Sequence, residues 1–149
     1  MEKGWPIRRL PFFRIFSFFK PSENVPMKIA SWVVQILLAL VFLASGSMKL
    51  FAFDQFAASA PALADQRGLV TFIGIAELAG ALGLILPALT KVLPFLTTWA
   101  AVGLATIMVL ATGFHLWRGE MSHAVVTVIL LALAAFVIHA RGFRSQPAP

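Results

Sequence analysis

The sequence predicts an all-α fold, an integral membrane four-helix bundle preceded by an amphipathic N-terminal arm lying in the membrane interface. Three observations predict it. The 149 residues are 60% hydrophobic and 12% charged, with a mean hydropathy of +0.89, whereas a soluble domain carries about a quarter charged residues. Four apolar runs, at about 29–50, 68–86, 94–116 and 121–140, each reach the length a helix needs to cross the hydrocarbon core. The basic residues are spread unevenly around those runs, as in a multi-pass chain of fixed orientation.

Composition also excludes. The isoelectric point near 10.9 suits nucleic acid, but the basic residues crowd one flank, so the expected partner is an anionic leaflet of the lipid bilayer and no nucleic acid. With no cysteine, the chain has no disulfide, thiolate metal site or thiol redox chemistry of its own. With no tyrosine, a tyrosyl acid or radical is excluded.

Residues 1–28 form the arm. Trp5, Phe12, Phe13, Phe16, Phe18 and Phe19 mix with Lys3, Arg8, Arg9, Arg14 and Lys20. Arg14, Ser17 and Lys20 fall three apart and leave the aromatics on the other sides, the pattern of a helix lying in the interface. A secretory signal is excluded, because Arg14 interrupts the apolar run and no small-residue cleavage site follows. Pro21–Pro26 reads as a hinge. Four spans anchor a chain far more firmly than an interfacial helix does. The face carrying Phe12, Phe13, Phe16 and Phe19 is therefore expected to meet other membrane protein subunits.

The first span is expected to face the bundle through Gln35, Ala39, Phe42, Gly46, Lys49 and Phe53, at spacings of four and three. A long connection, 51–67, follows. The second span carries the stripe Ile73, Ala76, Glu77, Gly80, Gly83, Leu84 and Pro87, whose small residues admit close helix approach, and Pro87 is expected to end it. The third is expected to face inward through Trp99, Gly103, Thr106, Leu110, Gly113 and Trp117. Tight turns join the second, third and fourth spans, which should pack as antiparallel neighbours. Residues 141–149 read as a tail.

Nine Lys and Arg residues fall on one side (Lys3, Arg8, Arg9, Arg14, Lys20, Lys28, Lys91, Arg141, Arg144) and three on the other (Lys49, Arg67, Arg118). Both termini are therefore expected in the cytoplasm. On this placement Glu77 sits near the midplane, where a charge costs at least ~2.5 kcal/mol without a partner. Lys49 falls about 14 Å above it, so a water-filled gap is expected between them. His115, Arg118 and His123 share that outer side, with Ser45 and Ser47 nearer the plane of Glu77 and His139 at the opposite end. The expected site is a polar pocket opening outward and floored by Glu77. Its candidate ligand or proton-binding residues are Glu77, Lys49, His115, Ser45 and Thr106, with Arg118 and His123 at the rim.

Plainer readings stand beside these. Glu77 can be an interhelix staple, and Lys49 can snorkel to the interface. His115 and His123 lack the third ligand of a metal site, so no metal is expected, and the histidines form no haem pair. No catalytic residues are identified.

Leu43-Ala-Ser-Gly-Ser-Met-Lys-Leu-Phe51, Gly74-Ile-Ala-Glu-Leu-Ala-Gly80 with Pro87, and His115-Leu-Trp-Arg-Gly-Glu120 together resemble the DoxX-like membrane proteins, over about residues 29–142. The resemblance implies a four-helix bundle and singles out Lys49, Glu77 and His115. It also implies a link to redox-related membrane complexes, since the family takes its name from a subunit associated with thiosulfate:quinone oxidoreduction. Three functions are carried forward. The first is a non-catalytic accessory or assembly subunit of a larger bacterial inner-membrane complex, such as an electron-transfer one. The second is a site for quinone or another small apolar ligand, with Glu77 exchanging a proton. The third is a transporter component. No cofactor is expected beyond the quinone of the second reading.

Overall fold

The computed structural model describes residues 25–93 and 95–142. They form α1 (Val25–Phe51), α2 (Phe53–Ser59), a 3₁₀ turn (Pro61–Leu63), α3 (Arg67–Thr90), α4 (Phe95–Trp117) and α5 (Met121–Gly142). The four long helices are each long and apolar enough to cross a membrane. α1 packs on α3, α3 on α4 and α4 on α5, and α5 closes the ring on α1. α2 follows α1 and marks one end of the bundle, here the α2 end. Residues 1–24 of the arm, with its phenylalanines, and residues 143–149 of the tail lie outside the described residues.

The core is built from Leu38, Ala39 and Phe42 of α1, Ala81 and Leu84 of α3, Ala101, Leu104 and Met108 of α4, and Ala134 and Val137 of α5. Around it stand exposed large apolar side chains such as Ile36, Leu40, Phe72, Ile75, Val109 and Ile129. That inversion of the soluble pattern is what a lipid solvent requires.

Three boundaries differ from expectation. α1 already includes Pro26 and Lys28, because proline is tolerated in a first turn, where its missing N–H costs no helical bond. α3 runs through Pro87 to Thr90. The Thr90 hydroxyl donates to the Leu86 carbonyl at 2.8 Å, and the helix stops only at Lys91, which turns left-handed at φ 57°. α5 extends through Arg141 because its guanidinium donates to the buried Gln35 amide oxygen at 3.1 Å and lies over the Trp32 ring at 5.2 Å. That contact ties α5 to α1 at the end away from α2.

The expected inward face of α4 is wrong. Trp99, Leu110 and Trp117 are 67%, 70% and 84% exposed, and Gly103 and Gly113 have no neighbour within 4 Å of an added β-carbon. The buried face is Thr97, Ala101, Leu104 and Met108.

Candidate functional site

The site starts from two glycines. A β-carbon on Gly46 of α1 would stand 2.8 Å from the Gly74 carbonyl oxygen, and one on Gly74 of α3 would stand 3.1 Å from the Gly46 carbonyl oxygen. The two backbones therefore touch, which only glycine on both sides permits. Lys49 lies three residues beyond Gly46 and Glu77 three beyond Gly74. The helices are antiparallel, so these two α-carbons separate along the axis by about 9 Å. Each Cα–Cβ bond tilts toward its own helix N-terminus. The Lys49 side chain therefore slopes away from the α2 end while that of Glu77 slopes toward it, and the two meet.

They meet as an ion pair. Lys49 Nζ donates to Glu77 Oε1 at 3.0 Å and to Oε2 at 2.8 Å, and also to the Ser45 hydroxyl one turn back. The Glu77 side chain is 4% exposed and that of Lys49 12%. From α2, the Phe56 ring lies 5.5 Å from the ammonium, within cation–π range. Lys49 thus fills the place where a water-filled gap was expected. The difference is one of height, since the Gly46–Gly74 contact, and not the midpoint of each span, sets the register. A cleft of about 350 Å³ lies nearby, lined by Leu50–Gln55 and Arg67. Neither Lys49 nor Glu77 lines it.

A second group forms at the α4–α5 turn. Gly119, at φ 73°, lets the chain reverse, and the Glu120 N–H donates to the His115 carbonyl at 2.9 Å. That bond brings the Glu120 carboxylate against the His115 ring, Oε2 to Nδ1 at 2.7 Å, while Arg118 Nε donates to Oε1 at 2.7 Å. His115 and His123 stack with ring centroids 5.2 Å apart. The Arg118 guanidinium, and after it His115, holds the Glu120 carboxyl below its usual range.

The expected single pocket is therefore two separate clusters. Among the described residues no hydrogen bond or ion pair joins Ser45, Lys49 and Glu77 to His115, Arg118 and His123. Thr106 belongs to neither. It is exposed, and its hydroxyl donates to the Val102 carbonyl of its own helix at 3.0 Å. Two residues had been missed. Phe56 sits in a connection without periodicity. Glu120 stands five residues after His115, a spacing that brings the two together only through the Gly119 turn.

A model of the DoxX-like family matches residues 33–137, a stretch that contains both clusters. No curated protein and no solved structure matches the chain.

Proposed function

The chain is a membrane protein that belongs to the DoxX-like family, and from that premise we propose that it serves as a non-catalytic accessory or assembly subunit of a larger complex in a bacterial inner membrane, such as an electron-transfer complex. The observation that carries this reading is the state of Glu77. Both of its oxygens are taken by Lys49 Nζ, at 3.0 and 2.8 Å, and the residue is 3% exposed. An acid that exchanges protons with a ligand needs a path and an open face. A carboxylate neutralised by a lysine on the neighbouring helix is suited to holding two helices in one register.

The arm supports the same reading. Its basic residues and phenylalanines exceed what anchoring requires, since the four spans already fix the chain in the bilayer. Its use is docking to a neighbouring subunit from the cytoplasmic side, where the count of Lys and Arg predicts both termini.

Purification from native membranes in mild detergent tests the proposal. A stoichiometric larger complex, weakened when residues 2–20 are deleted although the bundle still inserts, is the expected result. A lone chain that carries co-purified quinone would overturn it in favour of the ligand-binding reading, and quinone loss in Glu77→Gln would then identify the site.

A further inference from the structure

We infer that the α4–α5 turn is a binding site for one divalent transition ion, Zn²⁺ in the first instance, held by His115, Glu120 and His123. One nitrogen from each histidine and one oxygen of Glu120 lie within 4.8 Å of one another. Two imidazoles and a carboxylate are the donor set of three-ligand zinc sites that leave a fourth position to water. Metal–ligand distances of about 2.0–2.2 Å place tetrahedral ligands about 3.4 Å apart. The widest separation must therefore close by somewhat more than 1 Å. The site can close by side-chain rotation, because His123 is exposed and the side chains of His115 and Glu120, 22% and 33% exposed, are only partly buried.

The backbone brings the three together before any ion arrives. His115 stands in the last turn of α4, where a cation complements the helix dipole. Glu120 is placed by its own N–H bond to the His115 carbonyl at 2.9 Å. His123 stands beside His115 with ring centroids 5.2 Å apart, and one of the two stacked rings must turn about its side-chain bonds for both nitrogens to face one ion. Arg118 is the charge that opposes a cation here. It is engaged on Oε1 of Glu120 at 2.7 Å and fixes the carboxylate plane as an outer-shell partner does, while Oε2, 2.7 Å from His115 Nδ1, would exchange that contact for the metal. The site stands apart from the Lys49–Glu77 pair, so this inference does not depend on the accessory-subunit reading.

The test uses the full chain, purified without a histidine tag, stripped with EDTA and titrated with Zn²⁺ against a chromophoric chelator. The expected result is one Zn²⁺ per chain, with affinity at least about tenfold weaker in His123→Ala and in Glu120→Gln and unchanged in His139→Ala, a histidine near the other end of α5. Helical content and elution volume confirm that each variant is folded. Zn-edge absorption on the wild type needs no variant and should resolve two imidazole ligands. Equal affinity in wild type and His123→Ala, a loss that follows His139→Ala instead, or fewer than two imidazoles at the metal each overturn the proposal.

Discussion

Gly46 and Gly74 face each other across α1 and α3 so closely that a β-carbon on the first would stand 2.8 Å from the carbonyl oxygen of the second. The contact does more than join two helices. It fixes their relative height, and through the equal three-residue offsets it delivers Lys49 Nζ onto the Glu77 carboxylate. Glycines at 80 and 83 play a related part on the other side of α3, where added β-carbons would meet Leu104 Cδ2 at 2.6 Å and Ala100 Cβ at 2.8 Å. One helix thus approaches both of its neighbours through small residues.

Gly46→Ala should destabilise the bundle by about 1–3 kcal/mol, the usual cost of overpacking, since the obstructing atom is backbone. Gly103→Ala is the matched control. Nothing lies within 4 Å of its added β-carbon, so the substitution should stabilise by up to about 1 kcal/mol through helix propensity. Thermal unfolding in detergent reads both. Equal effects at the two positions would show that close approach at Gly46 is not what matters.

Phe56 covers the Lys49 ammonium at 5.5 Å from its ring centroid. Phe56→Ala should remove about 0.5–2 kcal/mol of that interaction and open Lys49 to water. The sensitive measurement is the rate at which an amine-reactive reagent modifies Lys49, followed by peptide mass spectrometry. A faster rate in the variant is expected. An unchanged rate would mean that burial by α1 and α3 alone protects the lysine.

The Lys and Arg count predicts the topology. A reporter fused after Pro149 should be active only in the cytoplasm. One inserted at Pro61, an exposed position in the connection between α1 and α3, should be active only on the outer side. Activity of the C-terminal fusion outside the cytoplasm would reverse the orientation assigned to both clusters.

The number of spans and the face of α1 from Gln35 to Lys49 were legible in the sequence, and the α3 face in part: Glu77, Leu84 and Pro87 are buried as expected, but so are Gly74 and Ala81, which the expected stripe leaves out. Long apolar runs and a polar residue within a small-residue stripe have few other physical solutions in lipid. The α4 face was not legible, because in a bilayer the lipid side and the protein side are both apolar and periodicity alone cannot rank them. Thr106 misled for a related reason. Its hydroxyl bonds to its own helix, so a threonine in a span does not mark a polar interior. The height of Lys49 relative to Glu77 was hidden as well, since register is set by the glycine contact and not by where each span begins. The approach of Glu120 to His115 depends on a left-handed Gly119 and one backbone hydrogen bond, which spacing suggests only once the turn is known.

The Lys49–Glu77 pair separates a staple from a proton-exchanging acid most directly. With side chains 12% and 4% exposed, the two charges are costly to bury apart and tolerable together. Removing one partner of a buried pair typically costs about 3–5 kcal/mol, because the other is left uncompensated. Lys49→Met should show that full loss, since it strands the more deeply buried Glu77. Glu77→Gln should cost less. Lys49 lies two residues before the end of α1, so its ammonium can snorkel past Phe56 to the interface. The double variant Lys49→Met with Glu77→Leu replaces both charges by apolar groups, a change that is often neutral or stabilising for a buried pair. It should therefore recover most of the stability lost by Lys49→Met, which thermal unfolding of the wild type, the single variants Lys49→Met and Glu77→Leu and the double variant measures as strong non-additivity. If the pair is a staple, the double variant should also be retained in the native complex at the wild-type level. A double variant that is stable and yet lost from the complex would assign the carboxylate a role beyond packing, and the accessory-subunit reading would have to give way to one in which Glu77 itself acts.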